Sequence, residues 1–341
     1  MKVSDFDFEL PEDLIASRPA QRRDESRMMV LDPRSGTFEI RSFRDFPEYF
    51  KAGDALVMND TRVIPARLFG RKEGSGGRAE MLLVEELRPG RWLAFVKPGR
   101  RLPPGTALKL ADGSPVRIAA RRDDGQAEID FDTAEVLALL DRLGQIPLPP
   151  YMNREADVSD RERYQTVFAS RPGAIAAPTA GLHFTPEMLA GLSASGIEQH
   201  RVTLHVGPGT FLPVAVEDVR DHRMHEEIFE LAPEVAASLR RTHQAGGRIT
   251  AVGTTSVRTL ETCADPECFL RPGAGRTAIF MHPPRRPAVV DRLLTNFHLP
   301  RSTLMMLVSC FAPRELVLEA YRCAVREKMR FYSYGDCMLI L

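Results

Sequence analysis

Short apolar runs, separated by longer amphipathic stretches, mark both ends of the chain. Strands buried on both faces read as continuous apolar segments, which distinguishes them from the alternating pattern of half-exposed strands. Such runs predict strands at Ala55–Met58, Ile197–Val206, Ile249–Val252 and Met338–Leu341. Strands that alternate with helices are typical of an α/β layer structure.

Helix start signals fall between these strands. Thr185 precedes Pro186 and Glu187, an arrangement in which Thr caps the helix and Pro occupies its first position. Pro233 gives a similar signal, and Ser302 is placed to cap a helix that runs into an apolar segment. A further amphipathic helix is predicted over residues 314–328.

Between Ala66 and Phe131 the pattern changes to six short runs of alternating apolar and polar residues. Turn clusters separate these runs, which is typical of a small antiparallel barrel or sandwich. The Gly74–Gly77 cluster precedes a strand rather than a helix, so it predicts a hairpin turn and not a nucleotide-binding loop. We therefore expect a discontinuous α/β domain (residues 1–65 and 147–341) with an inserted antiparallel β-barrel domain (residues 66–146).

Composition agrees with a globular protein of about two domains. The chain has 341 residues, 46 basic and 46 acidic side chains, and 43% hydrophobic residues. Its longest apolar segment, residues 302–312, is about half of the ~20 residues that a membrane-spanning helix needs. The acidic N-terminus fits neither a signal nor a transit peptide, so we expect a cytoplasmic protein. No heptad or repeat demands a partner, so we expect a monomer.

Polar loops directly follow two of the predicted strands, where open α/β sheets bind their ligands. These loops are Asn59–Arg62 and Gly253–Ser256. The second has two interpretations that the sequence leaves open. Backbone N–H groups and hydroxyls at a helix N-terminus bind a carboxylate or phosphate, whereas Thr255 or Ser256 alone would simply cap the helix.

Three further segments combine small residues with a histidine. Ala176–Phe184 is almost devoid of charge, and its His183 is either an acid or base beside a ligand or a hydrogen-bonded histidine in a buried loop. His205–Thr210 follows a predicted strand, and Thr295–His298 leads into the predicted Ser302 helix.

The segment Asp221–Glu226 places His222 and His225 three residues apart between carboxylates. It matches neither common zinc-protease motif, and the five cysteines contain no C-x-x-C pair, so we expect no metal. A hydrogen-bonded acid/base cluster, with a carboxylate fixing the His225 tautomer, is the preferred interpretation. Because no serine elbow, Walker A sequence or dinucleotide-binding motif occurs in the right context, these residues alone leave the reaction open.

Taken together, these segments resemble the bacterial S-adenosylmethionine:tRNA ribosyltransferase-isomerases of queuosine biosynthesis. The resemblance extends along nearly the whole chain in ordered, long motifs. They are Ser4–Leu14, Gly53–Leu68, Pro147–Tyr151, Tyr164–Thr185, His205–Val214, Asp221–Glu226, Val252–Glu261, Leu294–Val308 and Tyr332–Met338. The resemblance implies an α/β domain with an inserted β-barrel, in agreement with the division expected above.

The resemblance also implies a reaction. The ribosyl part of S-adenosylmethionine moves to the aminomethyl group of 7-aminomethyl-7-deazaguanine at the tRNA wobble position. Epoxyqueuosine forms, and adenine and methionine leave. S-adenosylmethionine is then a consumed substrate, and no separate cofactor is implied. The two alternatives are a non-catalytic tRNA-binding protein and an enzyme that transfers from or cleaves S-adenosylmethionine with a small-molecule acceptor.

That chemistry needs a base to take a proton from the carbon beside the sulfonium and an acid to help adenine leave. The candidates for these roles are Asp60, His183, His225 and Glu226. The residues expected to bind substrate are Asn59, Thr61, Arg62, Pro178, Thr179, Ala180, Gly181, Phe184, His205, Gly207, Gly209, Thr210, Gly253, Thr254, Thr255, Ser256, Thr295, Asn296, His298, Tyr334, Gly335 and Asp336. We expect the Ala176–Phe184 segment to suit a base, and the Gly253–Ser256 turn to suit a carboxylate or phosphate.

The chain departs from the family pattern at a few positions. Pro208, Pro313 and Cys337 stand where the family usually has small residues or Gly. Pro284 follows His282-Pro283 where the family tends toward His-Pro-Gly, and the stretch that ends at Val289 is shortened. These changes spare the polar motif residues, so they bear on loop geometry more than on activity.

Overall fold

The computed structural model describes residues 1–207 and 214–341. The strands of these two ranges are β1 (Arg27–Asp32), β2 (Thr37–Ser42), β3 (Ala55–Asn59), β4 (Thr61–Val63), β5 (Arg67–Lys72), β6 (Arg78–Arg88), β7 (Arg91–Lys97), β8 (Ala107–Leu110), β9 (Pro115–Arg121), β10 (Ala127–Phe131), β11 (Arg171–Ala174), β12 (Glu198–Leu204), β13 (Glu227–Leu231), β14 (Ile249–Val252), β15 (Ala264–Asp265), β16 (Phe269–Leu270), β17 (Gly273–Thr277), β18 (Arg292–Asn296) and β19 (Cys337–Ile340). The α-helices are α1 (Val136–Leu143), α2 (Asp160–Arg163), α3 (Pro186–Ala194), α4 (Pro233–Gln244), α5 (Thr254–Thr262), α6 (Thr303–Val308) and α7 (Arg314–Arg326).

A mixed sheet of nine strands forms the larger part of the molecule. Its order is β17-β13-β12-β3-β14-β18-β19-β1-β2. The four adjacent strands β12, β3, β14 and β18 run parallel to one another, and β19 is antiparallel to β18. All four strands predicted from apolar runs are in this sheet, with ends shifted by a few residues at most.

The central strands are apolar throughout because helices and loops cover both faces of the sheet. Along β3, Val57 packs into a core with α4, α5 and α7, whereas Leu56 and Met58 pack into a separate core on the opposite face. That second core also contains Leu192 of α3. Side chains of a strand alternate between the two faces of the sheet. A strand that is buried on both faces therefore carries apolar side chains at successive positions.

A closed, six-stranded antiparallel barrel is formed by β5 to β10, in the order β10-β7-β6-β5-β8-β9. Its interior holds the apolar residues of the alternating runs, such as Leu68, Met81 and Ile118, and α1 contributes Leu139 and Leu140 to the same core. Residues 73–77 form the turn between β5 and β6, as the glycine cluster predicted. The predicted fold class, α/β with an antiparallel barrel, is therefore confirmed.

The helix starts follow the predicted caps with one exception. Thr185 accepts a hydrogen bond from the N–H of Met188, and Ser302 accepts one from the N–H of Met305. The proposal that Thr255 or Ser256 caps α5 was wrong, because Gly253 occupies the cap position with φ +84° and α5 begins at Thr254. The Ser256 hydroxyl does not cap the helix and donates instead to the carbonyl of Val252.

No helix in the described ranges is long and apolar enough to cross a membrane. All five cysteine thiols, which lie in these ranges, are free.

Candidate active site

The carboxyl ends of the four parallel strands meet at one edge of the large sheet. Because β12, β3, β14 and β18 run in the same direction, the residues that follow them cluster there. These residues include His205 after β12, Asp60 after β3, Gly253 after β14 and His298 after β18. The expectation that polar loops would collect at this edge is confirmed by the strand order.

A cleft opens at this edge, and we call it the central cleft. Nine residues predicted to bind substrate line it: Pro178, Thr179, Ala180, Gly253, Thr254, Thr255, Thr295, Asn296 and His298. Seven more residues line it. Ala176 and Ala177 belong to the segment expected to suit a base, whereas Tyr164, Val206, Leu304, Tyr332 and Ser333 were not predicted. Among the described residues, no Asp, Glu, Lys or Arg lines the central cleft. Its walls are therefore apolar or neutral and polar.

The N-terminus of α5 forms one wall of the central cleft. Gly253 adopts φ +84°, a left-handed conformation that residues with a Cβ rarely adopt, and it turns the chain from β14 into the helix. Thr254 and Thr255 follow in the first turn, where backbone N–H groups have no partner within the helix. The Thr255 hydroxyl oxygen is buried and has no hydrogen-bond partner among the described residues. An anionic group is the natural ligand of such a turn.

A chain of hydrogen bonds runs from the central cleft into the protein through Asn296. Its Oδ1 accepts a hydrogen bond of 2.8 Å from the Thr179 hydroxyl, and its Nδ2 donates to Nε2 of His183 at 3.2 Å. Since Nε2 is the acceptor, the proton of the neutral ring is on Nδ1, which lies 2.9 Å from the Ser26 hydroxyl. Burial, with the positive charges of Arg23 and Arg330, lowers the pKa of His183 to about 4.

His183 is therefore a neutral, hydrogen-bonded histidine that lies behind the wall of the central cleft. It is 4% exposed and faces a smaller crevice that Arg23 and Arg163 also line. Of the two interpretations left open by the sequence, the buried loop with a satisfied histidine describes its position.

His298 lies in the wall of the central cleft itself. Its Nε2 is 2.8 Å from the Thr295 hydroxyl, and its backbone N–H donates to the Tyr321 hydroxyl at 3.3 Å. Burial lowers the pKa of His298 to about 3, so the ring is neutral at physiological pH.

Asp60 is buried at the same sheet edge but does not line the central cleft. Its two carboxylate oxygens accept hydrogen bonds from the hydroxyls of Thr203 (2.7 Å) and Ser170 (2.8 Å). The neighbouring Asn59 is used structurally: its amide donates to the Leu204 carbonyl and its Oδ1 accepts from the N–H groups of Thr61 and Leu204. These bonds hold the ends of β3 and β12 together.

His205 is half-buried and is joined to the residue after Asp60. The Thr61 hydroxyl lies 2.8 Å from its Nδ1, and the ring covers Gly173 so closely that a Cβ there would come within 2.9 Å of it. Burial is the main cause that lowers the pKa of His205, and the Asp60 charge partly opposes it. His205 directly precedes Val206, which lines the central cleft.

The segment predicted as an acid/base cluster is on the surface. His225 and Glu226 are exposed, and no described residue is hydrogen-bonded to the His225 ring. His222, rather than His225, packs against the protein. The centroid of its ring lies 5.2 Å from that of the Phe280 ring. The predicted cluster of His225 with a neighbouring carboxylate was therefore wrong. Glu226 is 4.0 Å from the Arg276 guanidinium.

Other predicted residues support the site from outside the central cleft. The Tyr334 hydroxyl donates to Asp160, and Gly335 and Tyr334 line the crevice beside His183. The Asp336 carboxylate accepts from the backbone N–H groups of Arg27 and Arg330, at 2.8 Å each.

Seven remaining predicted residues have separate positions. Phe184 is in the core below the sheet, and a Cβ on Gly181 would lie 2.7 Å from the Phe168 ring. Arg62 is exposed beside a different crevice, and the N–H of Gly207 donates to Glu227. Ser256 is buried in the first turn of α5. Gly209 and Thr210, with the departure at Pro208, lie outside the described residues.

Comparisons with known proteins place the chain in a family. Residues 3–340 match the family model described as queuosine biosynthesis protein. The S-adenosylmethionine:tRNA ribosyltransferase-isomerase of Symbiobacterium thermophilum is 52% identical over 343 residues, which covers 100% of both chains. The protein of the same name from Acetivibrio thermocellus is 48% identical over 342 residues, again with 100% of both chains covered.

A solved structure supports the same assignment. The crystal structure of S-adenosylmethionine tRNA ribosyltransferase from Thermotoga maritima matches with a TM-score of 0.58 and 39% sequence identity. The match covers 99% of this chain and 100% of that one. The chain therefore belongs to the S-adenosylmethionine:tRNA ribosyltransferase-isomerases, a family of enzymes of queuosine biosynthesis.

Proposed function

We propose that this protein transfers and isomerises the ribosyl moiety of S-adenosylmethionine onto 7-aminomethyl-7-deazaguanine at the wobble position of tRNA. The products are epoxyqueuosine in tRNA, free adenine and methionine. The full-length similarity to the ribosyltransferase-isomerases is the observation that carries this proposal. S-adenosylmethionine is consumed as a substrate in this reaction, which takes place where tRNA is found, in the cytoplasm.

The chemistry of the central cleft suits S-adenosylmethionine. The amino-acid end of that molecule carries a carboxylate, which we assign to the first turn of α5 and the unpartnered hydroxyl of Thr255. Ala177, Pro178 and Val206 offer neutral apolar contacts to the adenine. A neutral cleft also leaves the sulfonium positive charge unpaired, which keeps the adjacent carbon acidic.

The proposed proton-transfer groups divide by position. His183 reaches the central cleft only through Asn296, so we assign it a positioning role. His225 and Glu226 are exposed, so they are available to tRNA rather than to an enclosed ligand. Asp60 acts through His205, whose ring its charge influences, so we propose a positioning role for Asp60 as well.

His205 is the base that this arrangement favours. Burial lowers its pKa, so the ring is neutral at pH 7 and able to accept a proton. Thr61 fixes the orientation of the ring through Nδ1, and Val206 continues the chain into the wall of the central cleft. The other ring nitrogen of His205, Nε2, has no hydrogen-bond partner among the described residues.

The barrel and the sheet have separate hydrophobic cores. We therefore propose the domain division expected from sequence, with residues 66–146 inserted into the α/β domain, and a monomer as the active form.

Adenine release tests the proposed function. The purified protein is incubated with S-adenosylmethionine and no tRNA, unmodified tRNA, or tRNA that carries 7-aminomethyl-7-deazaguanine. We expect adenine only with the modified tRNA. Release without tRNA would indicate a small-molecule transferase or lyase, and no release under any condition would indicate a tRNA-binding protein.

A His205→Gln variant sharpens the assignment of the base. Gln retains a polar group of similar length but does not accept a proton at neutral pH. We expect it to bind S-adenosylmethionine and to release adenine at least one hundredfold more slowly, within the range usual for loss of a general base. The matched control is His243→Gln, at an exposed position of α4 that does not line the central cleft, which should retain the parent's rate with saturating tRNA.

A further inference from the structure

Tyr332 has a backbone conformation that an aromatic residue rarely adopts. Its φ is +74°, in the left-handed region where a Cβ is crowded. Other non-glycine residues with positive φ in the described ranges include Arg301 and Lys328, which are exposed polar residues, and Phe269, whose ring stacks on His243. Among the described non-glycine residues with positive φ, Tyr332 is the one that lines the central cleft.

Hydrogen bonds fix the loop that holds Tyr332. Its N–H donates to the carbonyl of Phe297 at 3.0 Å, and its own carbonyl accepts from the N–H of Gly335 at 2.9 Å. The Asp336 carboxylate accepts from the N–H of Arg330, which ties down the residue two positions earlier. A strained conformation persists when the surrounding bonds determine it, and such residues cluster at ligand sites.

The ring of Tyr332 packs against a neighbouring ring, and the residue lines the central cleft. The Tyr151 ring meets it edge to face, with centroids 3.8 Å apart and planes 77° to each other. The Tyr332 side chain is only partly buried, and its hydroxyl has no hydrogen-bond partner among the described residues. The residue is therefore held in place by its neighbours while part of its ring remains available to a ligand.

We propose that the Tyr332 ring is the stacking surface for the planar heterocyclic base of the substrate. This inference rests on the proposed function and deepens it. Aromatic side chains bind bases through their π-faces, and the apolar walls at Ala177 and Pro178 suit the same ligand. Two bases take part in the reaction, the adenine of S-adenosylmethionine and the deazaguanine of tRNA, and both have the planar face that the site would recognise.

Substitutions that keep or remove the ring test the stacking role. Tyr332→Phe keeps the π-face, and Tyr332→Leu keeps an apolar side chain without one. For each variant, the Kd for S-adenosylmethionine is measured by equilibrium dialysis without tRNA, and the KM for modified tRNA is measured by adenine release. We expect the Kd and the KM of the Phe variant to lie within about twofold of the parent's values. The Leu variant should raise either the Kd or the KM roughly tenfold.

The outcomes separate the two bases and the two proposals. A raised Kd for S-adenosylmethionine assigns Tyr332 to adenine, and a raised KM for tRNA with an unchanged Kd assigns it to the deazaguanine. If Leu changes neither, or if Phe loses as much as Leu, the stacking role is overturned. If the parent binds S-adenosylmethionine but releases no adenine with any tRNA, the proposed function fails. The Kd values of the Phe and Leu variants for S-adenosylmethionine and for the modified tRNA, both measured by direct binding, then still decide the role of Tyr332.

A second pair of variants tests the backbone strain independently of activity. Tyr332→Gly and Tyr332→Ala both remove the ring, but only Gly adopts the left-handed conformation freely. We expect the Gly variant to melt at a higher temperature than the Ala variant. Equal melting temperatures, or a more stable Ala variant, would show that position 332 is not strained.

Discussion

Two buried histidines of the site make the stability of the protein depend on pH between 6.5 and 4.5. Burial, followed by the charges of Arg23 and Arg330, lowers the pKa of His183 to about 4, and burial lowers the pKa of His298 to about 3. Both residues are more than nine-tenths buried, and the folded protein keeps both rings neutral throughout this range. In the unfolded chain a histidine takes up its proton near pH 6.5.

The sign and size of the effect follow from proton linkage. Below pH 6.5 the unfolded state binds a proton at each histidine that the folded state does not bind, so the free energy of unfolding falls as the pH falls. The stability contributed by each buried, neutral histidine is fully present above pH 6.5, and it is lost as the pH approaches the pKa of that histidine in the folded state. Between pH 6.5 and 4.5 each histidine removes about 2 kcal/mol, and the two together about 4 kcal/mol. Because this window lies above both folded-state pKa values, the loss depends little on either.

Urea unfolding at pH 7.5, 6.5, 5.5 and 4.5 measures the effect in the parent and in the variants His183→Gln and His298→Gln. Each variant should be less stable than the parent at pH 7.5, since it disturbs a buried hydrogen bond. At pH 4.5 the difference between parent and variant in the free energy of unfolding should be about 2 kcal/mol smaller, because the variant lacks one of the linked protons. Other titrating groups are common to all three proteins and cancel in the comparison. If this difference in the free energy of unfolding stayed constant with pH, the assignment of a neutral, buried ring would be refuted.

Three substitutions test other parts of the structure. Arg258→Met removes the cation paired with the buried Glu227 carboxylate and should cost about 3–5 kcal/mol in urea unfolding, and a loss below 1 kcal/mol would contradict the pairing. Gly144→Ala places a Cβ 1.9 Å from a backbone carbonyl oxygen and should lower the melting temperature by several degrees, whereas the control Gly191→Ala, in α3 with open space around it, should not lower it. Thr255→Val should weaken S-adenosylmethionine binding roughly tenfold in equilibrium dialysis with no loss of stability, and unchanged binding would remove Thr255 from the carboxylate site.

Local sequence patterns predicted the elements and the location of the site. The alternating runs of residues 66–131 and the apolar runs of the sheet are visible within single segments, because side chains alternate faces along every strand. Polar loops after Met58 and Val252 pointed to the carboxyl ends of parallel strands, and the sheet brings these ends together. Chemistry that depends on one strand and the loop after it can be found from one sequence.

Contacts between distant segments were not predictable in this way. The state of His183 depends on Ser26 and Asn296, which are 157 and 113 positions away in the chain. His222 and His225 each have an acidic neighbour in the sequence, and only the packing of His222 on Phe280 shows which of the two faces the protein.

Tyr164 and Tyr332, which line the central cleft, also escaped prediction. Each lies in a motif shared with the family, but an isolated tyrosine more often belongs to a core. The positive φ of Tyr332 comes from the loop closed by Gly335 and Asp336 and has no signature in local composition.

The central claim is that the ribosyl carbons of S-adenosylmethionine end in the tRNA. The most direct measurement uses S-adenosylmethionine with ¹³C in all five ribose carbons, tRNA that carries 7-aminomethyl-7-deazaguanine, and mass spectrometry of the nucleosides after digestion. The account predicts that the wobble nucleoside gains all five labelled carbons while adenine and methionine are released unlabelled. Labelled ribose that stays in a small-molecule product, with an unchanged wobble nucleoside, would contradict it.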